Sequence, residues 1–275
     1  MQLLNDNAAL IEHIMGALYD RSRHKDFYSQ DTFDVVTASG VLLLLGQKRN
    51  QDSGNKDSCL ILNKRSSKVK QPGDLCCPGG RVTPWLDGLL ARLFALPLFS
   101  LGRWPYWSPW KTGRLFEARL LALLWATSLR ESLEEMRLNP FRVTFLGPLP
   151  PYSLSMFERR IYPLVAWIPR QKRFYPNWEV EKIVFVPLEE LLNPANYACY
   201  RLHLNLYPHS QPSDVPRDFP CVQLKTNTGP ELLWGATYYI ITVFLKYVFQ
   251  FSPPAIDNLS VVEGTLDESY LTGQL

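Results

Sequence analysis

Three glutamates stand within five residues in the stretch RESLEEM, which runs from Arg130 to Met136. A helix would gather these carboxylates on one face and place apolar side chains on the opposite stripe, at 100° per residue. The carboxylates belong to Glu131, Glu134 and Glu135, and the apolar side chains to Leu129, Leu133 and Met136. Mg²⁺ and Mn²⁺ prefer carboxylate oxygens, so this face suits a metal that binds a diphosphate. The heptapeptide alone also fits a solvated acidic face paired with Arg130 or Arg137.

A glycine-rich turn precedes this predicted helix. The segment QPGDLCCPGGRVTP covers residues 71–84, and its Gly79 and Gly80 would let the backbone approach a ligand or a metal closely. A basic strand edge comes before the turn and could receive phosphates, although lysine-rich turns are also ordinary solvated surface. This edge consists of Lys64, Arg65, Lys68 and Lys70.

Together these segments resemble the Nudix hydrolase box. The family pattern runs G, five residues, E, seven residues, R-E-U-x-E-E-x-G-U, and here a P-G-G turn is followed by R-E-x-x-E-E. The run ILNKRSSKVKQPGDLCCPGG is similar to the coenzyme A pyrophosphatase branch of the family. Later segments resemble the downstream blocks of that branch in the same order: LGPLPPYSLSMFERRIYPLVAWIP, NWEVEKIVFVPLEELLNPANY and LLWGATYYIITVFL. The resemblance extends from about Cys59 to Phe249, apart from one insertion.

The resemblance implies a metal-dependent enzyme that splits the diphosphate of coenzyme A or acyl-coenzyme A into 3′-phosphoadenosine 5′-phosphate and (acyl-)4′-phosphopantetheine. Glu131, Glu135 and the carbonyl of Gly79 would hold Mg²⁺ or Mn²⁺. The implied catalytic residues are Glu134, Glu179 and Arg130, with Glu181 as another candidate for the general base, and the implied substrate-binding residues are Arg65, Lys64, Lys68 and Gly80. Two alternatives are hydrolysis of another nucleoside diphosphate derivative, such as a dinucleotide or nucleotide sugar, and a non-catalytic nucleotide-binding module.

The chain departs from the family pattern in three places. Arg130 lies 50 positions after Gly80 where the pattern needs 14, so about 36 residues are inserted, and the loop before the helix is the natural place for them. Ala122 occupies the position of the first glutamate, and the nearby Glu117 is a candidate substitute. Arg137 replaces the last glycine, where a left-handed conformation would cost a side chain about 1–2 kcal/mol, so we expect a reshaped helix end.

The insertion, at about residues 83–117, is unusually apolar. Its 13-residue run from Leu89 to Leu101 is interrupted by Pro97 and is shorter than the roughly 20 residues that cross a bilayer. Four aromatic residues follow: Trp104, Tyr106, Trp107 and Trp110. This composition suits a membrane-surface contact, a homodimer interface, a lid over an acyl chain, or a hairpin packed on its own core.

Hydrophobic periodicity places these segments in a mixed α/β fold. An amphipathic helix is predicted from Asn7 to Ser22, and a last helix within ELLWGATYYIITVFLKYVF. Strands are predicted within FDVVTASGVLLLLGQKRN, CLILNKR, RVTFLGPLP, IYPLVAWIP and KIVFVPL, with a polar hairpin loop at residues 50–58 and a short helix in PLEELL. With the family resemblance, the expected fold is an α/β/α sandwich that contains a mixed sheet.

Composition supports one large globular domain, because 46% of the 275 residues are hydrophobic and 20% are charged. The expected divisions are an N-terminal helical extension (1–31), a hydrolase domain (32–251) and a C-terminal tail (252–275). A net charge of +3 is too small to indicate a nucleic-acid binder, so the expected partner is a small-molecule substrate. Five cysteines without a C-x-x-C motif, and a first segment unlike a secretory signal, favour a cytoplasmic protein, with membrane-surface contact left open.

Overall fold

The computed structural model describes residues 2–23, 27–28, 33–49, 54, 56–154, 158–169, 171, 173–205, 216–226, 229–267 and 270. The first half of the chain contains α1 (Gln2–Asn5), α2 (Asn7–Arg23), β1 (Ala38–Arg49), β2 (Lys56–Arg65), β3 (Leu75–Cys76), β4 (Gly79–Arg81), α3 (Pro84–Phe94), α4 (Trp107–Gly113) and α5 (Leu115–Met136). The second half contains β5 (Thr144–Pro148), β6 (Tyr152–Leu154), β7 (Arg159–Ile168), β8 (Val180–Pro187), α6 (Leu188–Leu191), β9 (Tyr197–Asn205), β10 (Arg217–Thr226), β11 (Gly229–Leu233), α7 (Gly235–Phe249) and β12 (Val261–Asp267).

An eight-stranded mixed sheet forms the centre of the fold. Its main strand order is β3-β2-β1-β7-β5, with β4 paired to β1, β6 to β7 and β8 to β2. The pair β1 and β7 is parallel, and the other pairs are antiparallel. Because side chains alternate along a strand, Leu42 and Leu44 pack on one face of β1 while Leu43 and Leu45 pack on the other. Both faces of the sheet are therefore buried.

Helices cover both faces of this sheet, which confirms the predicted α/β/α sandwich. Helices α3, α4 and α5 contribute to the core on one face. Helices α2 and α7 contribute to the core on the other, where Leu10, Ile14 and Leu18 of the predicted N-terminal helix are fully buried. Among the described residues, no helix is both long and apolar enough to cross a membrane.

A second sheet, with strand order β11-β10-β9-β12, contains two elements that sequence patterns misassigned. Residues 231–233, predicted as the start of the last helix, belong instead to β11 (Gly229–Leu233), because they pair with β10. Val261–Asp267, predicted to belong to a tail, form β12, which pairs in parallel with β9. Beyond this strand, the Tyr270 hydroxyl donates to Asp74 Oδ2 at 2.5 Å.

The insertion is helical and lengthens the carboxylate helix. Helices α3 and α4 precede α5, which already begins at Leu115. Trp104, Trp107 and Trp110 are buried in the core on the α5 face of the sheet. The aromatic half of the insertion therefore packs on the core of the domain, where Trp104 contacts Phe145, rather than on a core of its own as the hairpin alternative predicted. Most residues of the predicted hairpin loop at 50–58 lie outside the described part of the chain.

Candidate active site

The glycine bend brings β4 into close contact with β1. Gly79 has a φ of +146°, and a Cβ there would overlap the backbone of Gly40 and Val41. A side chain is therefore excluded at this position on steric grounds and by the left-handed backbone. The tight pairing of β4 with β1 places the Gly79 amide beside the last turn of α5.

Glu135 is held directly by this bend. Its Oε2 accepts hydrogen bonds from the Gly79 backbone N–H at 3.1 Å and from Asn63 Nδ2 at 2.9 Å. Burial raises the pKa of Glu135 to about 8; the Gly79 hydrogen bond opposes the shift, whereas the charges of Glu131 and Glu179 add to it. The last turn of the predicted carboxylate helix thus meets the glycine bend despite the long insertion.

Glu131 lies one helical turn earlier and also contacts the bend. Its carboxyl group occupies the space where a Gly80 Cβ would be, so Gly80 must lack a side chain for Glu131 to sit there. Its Oε1 pairs with Arg130 Nη1 at 2.9 Å. Burial raises the pKa of Glu131, while the positive charge of Arg130 acts to lower it. Two half-buried carboxylates therefore converge on Gly79 and Gly80.

Glu134 points away from this convergence. Its side chain is 57% exposed and pairs with Arg130 at 3.3 Å. Leu133, which was predicted to face the core, is 38% exposed instead, and the buried stripe passes through Leu129, Ser132 and Met136. The prediction was wrong for Leu133 because the buried side of α5 is centred on Ser128, Leu129 and Ser132, which leaves Leu133 outside it.

Asp87 is the residue that the sequence interpretation missed. Its fully buried carboxylate accepts from Arg130 Nε at 2.7 Å, from Thr127 Oγ1 at 2.8 Å and from the Thr83 backbone N–H at 2.7 Å. Although burial acts to lower it, the pKa of Arg130 is raised by its hydrogen bond to Asp87 and its neighbouring acids. Asp87 stands seven positions after Gly80, whereas the first glutamate of the family pattern stands six positions after its glycine. Counting forward from Gly80 would therefore have identified Asp87 as a candidate for this position.

Glu117, the candidate substitute for the missing glutamate at position 122, does not serve as the first acidic residue. Ala122 is buried in the core, and Glu117 pairs with Arg114 at 3.3 Å. Since Asp87 lies at the start of α3, most of the inserted residues come after the first acidic position rather than before it. The insertion separates two parts of the family pattern that the fold brings back together.

The end of α5 keeps the shape that the family glycine would give. Arg137 adopts a left-handed conformation with φ 55° and ψ 38°, and the expected reshaping is not seen. Its backbone N–H donates to the Leu133 carbonyl at 3.0 Å, and the Leu138 N–H donates to Ser132 at 3.3 Å. These hydrogen bonds end the helix with the left-handed cap that is common at helix C-termini. The left-handed conformation costs a residue with a side chain about 1–2 kcal/mol.

Arg65 and Glu179 line a small cavity beside Glu135. The cavity has a volume of about 30 Å³, and Asn63 and Cys76 also contribute to its wall. Glu179 lies in the turn before β8, where its carbonyl accepts from the Ser66 N–H at 2.8 Å. A larger cavity of about 450 Å³, between the second sheet and the turn containing Asp74, is lined by none of the predicted site residues.

The lysines that precede the glycine bend do not line the cavity beside Glu135. Lys64 Nζ pairs with Glu231 at 3.2 Å and with Glu181 at 3.7 Å, because strand alternation turns it to the face opposite Asn63. Lys182 also reaches Glu231, at 2.6 Å. Lys68 is exposed on the turn that follows Arg65. Of the predicted basic residues, Arg65 is the one that borders the Glu135 cavity.

The donor set suits a hard divalent cation. Within the described residues, no three His, Cys, Asp or Glu side chains form a ready-made metal cluster. Glu131 and Glu135 nevertheless converge, and Glu179 is near enough to raise the pKa of Glu135 further. Buried carboxylates that repel one another are stabilised by a cation, and oxygen ligands favour Mg²⁺ or Mn²⁺. Glu131 and Glu135 would hold such an ion.

Comparisons with known proteins agree with the sequence resemblance. No family model matches the chain. It is 27% identical over 200 residues to the peroxisomal coenzyme A diphosphatase NUDT7 of Mus musculus. The aligned residues make up 70% of this chain and 65% of that protein. It is 41% identical over 73 residues to the uncharacterized Nudix hydrolase NudL of Pectobacterium atrosepticum, covering 26% and 37%. The chain is thus similar in sequence to proteins named as Nudix hydrolases.

Solved Nudix structures show only limited superposition. A MutT/nudix protein from Enterococcus faecalis gives a TM-score of 0.38 at 8% identity and covers 89% of this chain and 73% of that one. A NUDIX hydrolase from Alicyclobacillus acidocaldarius gives a TM-score of 0.37 at 13% identity, covering 58% and 82%. The chain spans about two thirds or less of the length of its curated Nudix relatives.

Proposed function

We propose that the chain hydrolyses the diphosphate bond of coenzyme A or acyl-coenzyme A, using Mg²⁺ or Mn²⁺. Water adds across the P–O–P bond and yields 3′-phosphoadenosine 5′-phosphate and (acyl-)4′-phosphopantetheine. The observation that carries this proposal is the contact of Glu135 with Gly79 at 3.1 Å and of Glu131 with Gly80, across the insertion. The choice of coenzyme A rests on the sequence blocks and on the name of the mouse relative.

In this proposal, Glu131, Glu135 and the carbonyl of Gly79 are the metal ligands. A bound divalent ion would neutralise the diphosphate and make a water molecule more acidic near neutral pH. Asn63 positions Glu135 through its hydrogen bond at 2.9 Å, and Arg130 positions Glu131 while Asp87 fixes Arg130 in turn. Arg65 borders the cavity and binds a substrate phosphate.

Glu179 is the proposed general base, and Glu134 is the competing candidate. Glu179 lines the same cavity as Glu135, whereas the Glu134 side chain is 57% exposed and bonded to Arg130. A base must come within hydrogen-bond reach of the attacking water, so a residue that lines the cavity is better placed than one on the outer side of α5. Comparing Glu179→Gln with Glu134→Gln tests this assignment, because the larger loss of kcat identifies the base.

The binding-module alternative rested on Ala122 and Arg137. Asp87 supplies the acidic partner that Ala122 lacks, and Arg137 closes α5 in the left-handed conformation normally taken by glycine. Both departures are therefore compensated within the fold. This compensation supports an enzyme rather than a protein that only binds nucleotides.

Product analysis tests the proposal. The purified chain would be incubated with Mg²⁺ or Mn²⁺ and with coenzyme A, acetyl-coenzyme A, a dinucleotide or a nucleotide sugar, and products would be identified by mass spectrometry. We expect 3′-phosphoadenosine 5′-phosphate from the two coenzyme A substrates and at least about a hundredfold loss of turnover in Glu135→Gln. Glu189→Gln, on the exposed start of α6, is the matched control.

Two results would contradict this assignment in different ways. Cleavage of the nucleotide sugar or dinucleotide while coenzyme A survives would show that the substrate is wrong. Absence of cleavage for every substrate, together with equal nucleotide binding by wild type and Glu135→Gln, would support the non-catalytic module.

A further inference from the structure

Helix α3 is apolar on two opposite sides. Asp87, Ala91 and Phe94 are buried on its inner side. Its outer side and the turn that follows carry large apolar side chains with high exposure: Trp85 at 71%, Leu89 at 57%, Leu96 at 50% and Leu98 at 82%. We call these four residues and the exposed Arg92 the outer face of the insertion.

The outer face is one continuous surface along the helix. Within α3, positions 85, 89 and 92 follow one another at intervals of three or four residues, which places them on one stripe. The turn beyond α3 is fixed, because the Gly102 N–H donates to the Phe94 carbonyl at 3.2 Å and the Phe99 N–H to Leu96 at 3.0 Å. Leu98 therefore sits on a defined turn at the end of the stripe.

The exposed charges of the insertion have one sign. Its acidic residues, Asp87 and Glu117, are not exposed, and each is paired, Asp87 with Arg130 and Glu117 with Arg114. Arg92, Arg103 and Lys111 are exposed in the same segment. A surface that combines exposed leucines, a tryptophan and exposed cations matches the boundary of a bilayer that contains anionic lipids.

We propose that the outer face docks reversibly on an anionic lipid surface. Trp85, Leu89, Leu96 and Leu98 would enter the boundary between head groups and acyl chains, while Arg92 on α3 and Arg103, whose backbone N–H donates to Phe99 in the turn, would contact lipid phosphates. Docking would leave the fold intact, because the same helix keeps Asp87, Ala91 and Phe94 in the core.

Two other occupants fit the surface less well. A two-fold contact with a second copy would bring the cations of both insertions together, and like charges at an interface oppose association. An acyl chain on a bound substrate would need a surface near Glu135. The outer face lies on the side of α3 opposite Asp87, and Asp87 is the residue that contacts α5, so this surface is turned away from the site.

Vesicle co-sedimentation of the full chain tests the proposal. The vesicles would contain phosphatidylcholine alone or with about 30% phosphatidylglycerol, and circular dichroism would confirm that each variant is folded. We expect binding to the anionic vesicles to be at least about tenfold tighter than to neutral ones and to weaken with salt. Leu98→Glu should reduce this binding at least about tenfold, and Arg92→Gln combined with Arg103→Gln should remove most of the salt dependence.

Val36→Glu is the matched control, since Val36 is 76% exposed and lies outside the insertion. It should bind anionic vesicles as wild type does. The proposal is overturned if Leu98→Glu binds like wild type, if Val36→Glu loses binding equally, or if no vesicle binds. It is also overturned if light scattering shows a dimer that Leu98→Glu dissociates, because a second copy would then cover the surface. The readout needs no turnover, so it is independent of the proposed hydrolysis.

Discussion

Arg130 donates to the buried carboxylate of Asp87 at 2.7 Å, although 43 positions separate the two residues along the chain. The same carboxylate accepts from Thr127 and from the backbone of Thr83. This contact joins the first helix of the insertion to α5 immediately before Glu131. The pair therefore holds together the two halves of the proposed active site.

Removing Asp87 should be strongly destabilising. Asp87→Ala leaves Arg130, whose side chain is 10% exposed, without its buried partner, and breaking such a pair costs roughly 3–5 kcal/mol. Urea unfolding measures the loss. Glu263→Gln is the control, because Glu263 pairs with His203 on the surface with its side chain 59% exposed, and it should change the free energy of unfolding by less than about 1 kcal/mol. Equal losses in the two variants would contradict the role given to Asp87.

Gly80→Ala should weaken metal binding. Its methyl group would displace the Glu131 carboxyl group, and we expect the affinity for Mn²⁺ to fall at least about tenfold in a calorimetric titration. Gly88→Ala is a matched control, because Gly88 lies within α3 and an added Cβ meets no atom within 4 Å. That variant should keep its affinity and gain about 1 kcal/mol of stability from helix propensity. Unchanged Mn²⁺ affinity in Gly80→Ala would rule out Glu131 as a ligand.

Stability of the metal-free protein should fall as the pH rises towards about 8. The pKa of Glu135 is about 8 in the folded chain and ordinarily 4.5, so between these values the folded state binds more protons than the unfolded state. The free energy of unfolding then decreases with rising pH across this range and becomes level above it. Unfolding measured from pH 5.5 to 8.5 in a chelator should show a shallower slope in Glu135→Gln.

Divalent metal should reverse this trend, because a metal ion binds the deprotonated carboxylate. Mg²⁺ or Mn²⁺ should therefore raise the melting temperature of wild type more at pH 8.5 than at pH 6. Identical pH slopes for wild type and Glu135→Gln would show that Glu135 is not the group responsible.

Arg65 and Lys64 should respond differently to substitution, although they are neighbours. Arg65→Ala removes a guanidinium from the Glu135 cavity and should raise the KM for coenzyme A about tenfold, with a smaller change in kcat. Lys64→Ala should leave KM within about twofold, since Lys64 pairs with Glu231 and Lys182 remains beside that carboxylate at 2.6 Å. Steady-state kinetics would contradict the assignment if Lys64→Ala had the larger effect on KM.

Arg137→Gly should stabilise the protein by about 0.5–1 kcal/mol. Glycine adopts φ 55° without the steric cost that arginine pays, and part of the gain is offset by the greater freedom of glycine in the unfolded chain. Arg119→Gly, on an exposed position inside α5, should instead destabilise by about 1 kcal/mol. Chemical denaturation of the two variants should show opposite signs, and the same sign would contradict the left-handed helix end.

The sequence predicted the local geometry of the site because local rules determine it. A Gly-Gly turn and two glutamates one helical turn apart are recognisable from spacing, the family resemblance implied that they meet, and the structure brings them together. Periodicity did not predict the exposure of Leu133, because a helix pattern does not say how much of its circumference the sheet will cover. Asp87 was missed because counting backwards from Arg130 assumed that all inserted residues preceded the helix.

Long-range strand pairing was the other feature that sequence reasoning could not supply. The apolar residues of β11 stand next to those of α7 in the sequence, so periodicity shows no boundary between the two elements. Their pairing with β10 is what makes them a strand. The strand β12 likewise depends on a partner, β9, that lies far from it in sequence.

The last strand has a practical consequence for protein engineering. A shortened version ending at residue 251 would lack β12 and leave β9 as the unprotected border of the second sheet, where another molecule could add by hydrogen bonding. It would also lack the tyrosine whose hydroxyl holds Asp74 in the turn that leads to the glycine bend. Expression boundaries chosen from the family resemblance alone would thus favour aggregation, and a version intended for crystallisation should retain residues through Tyr270.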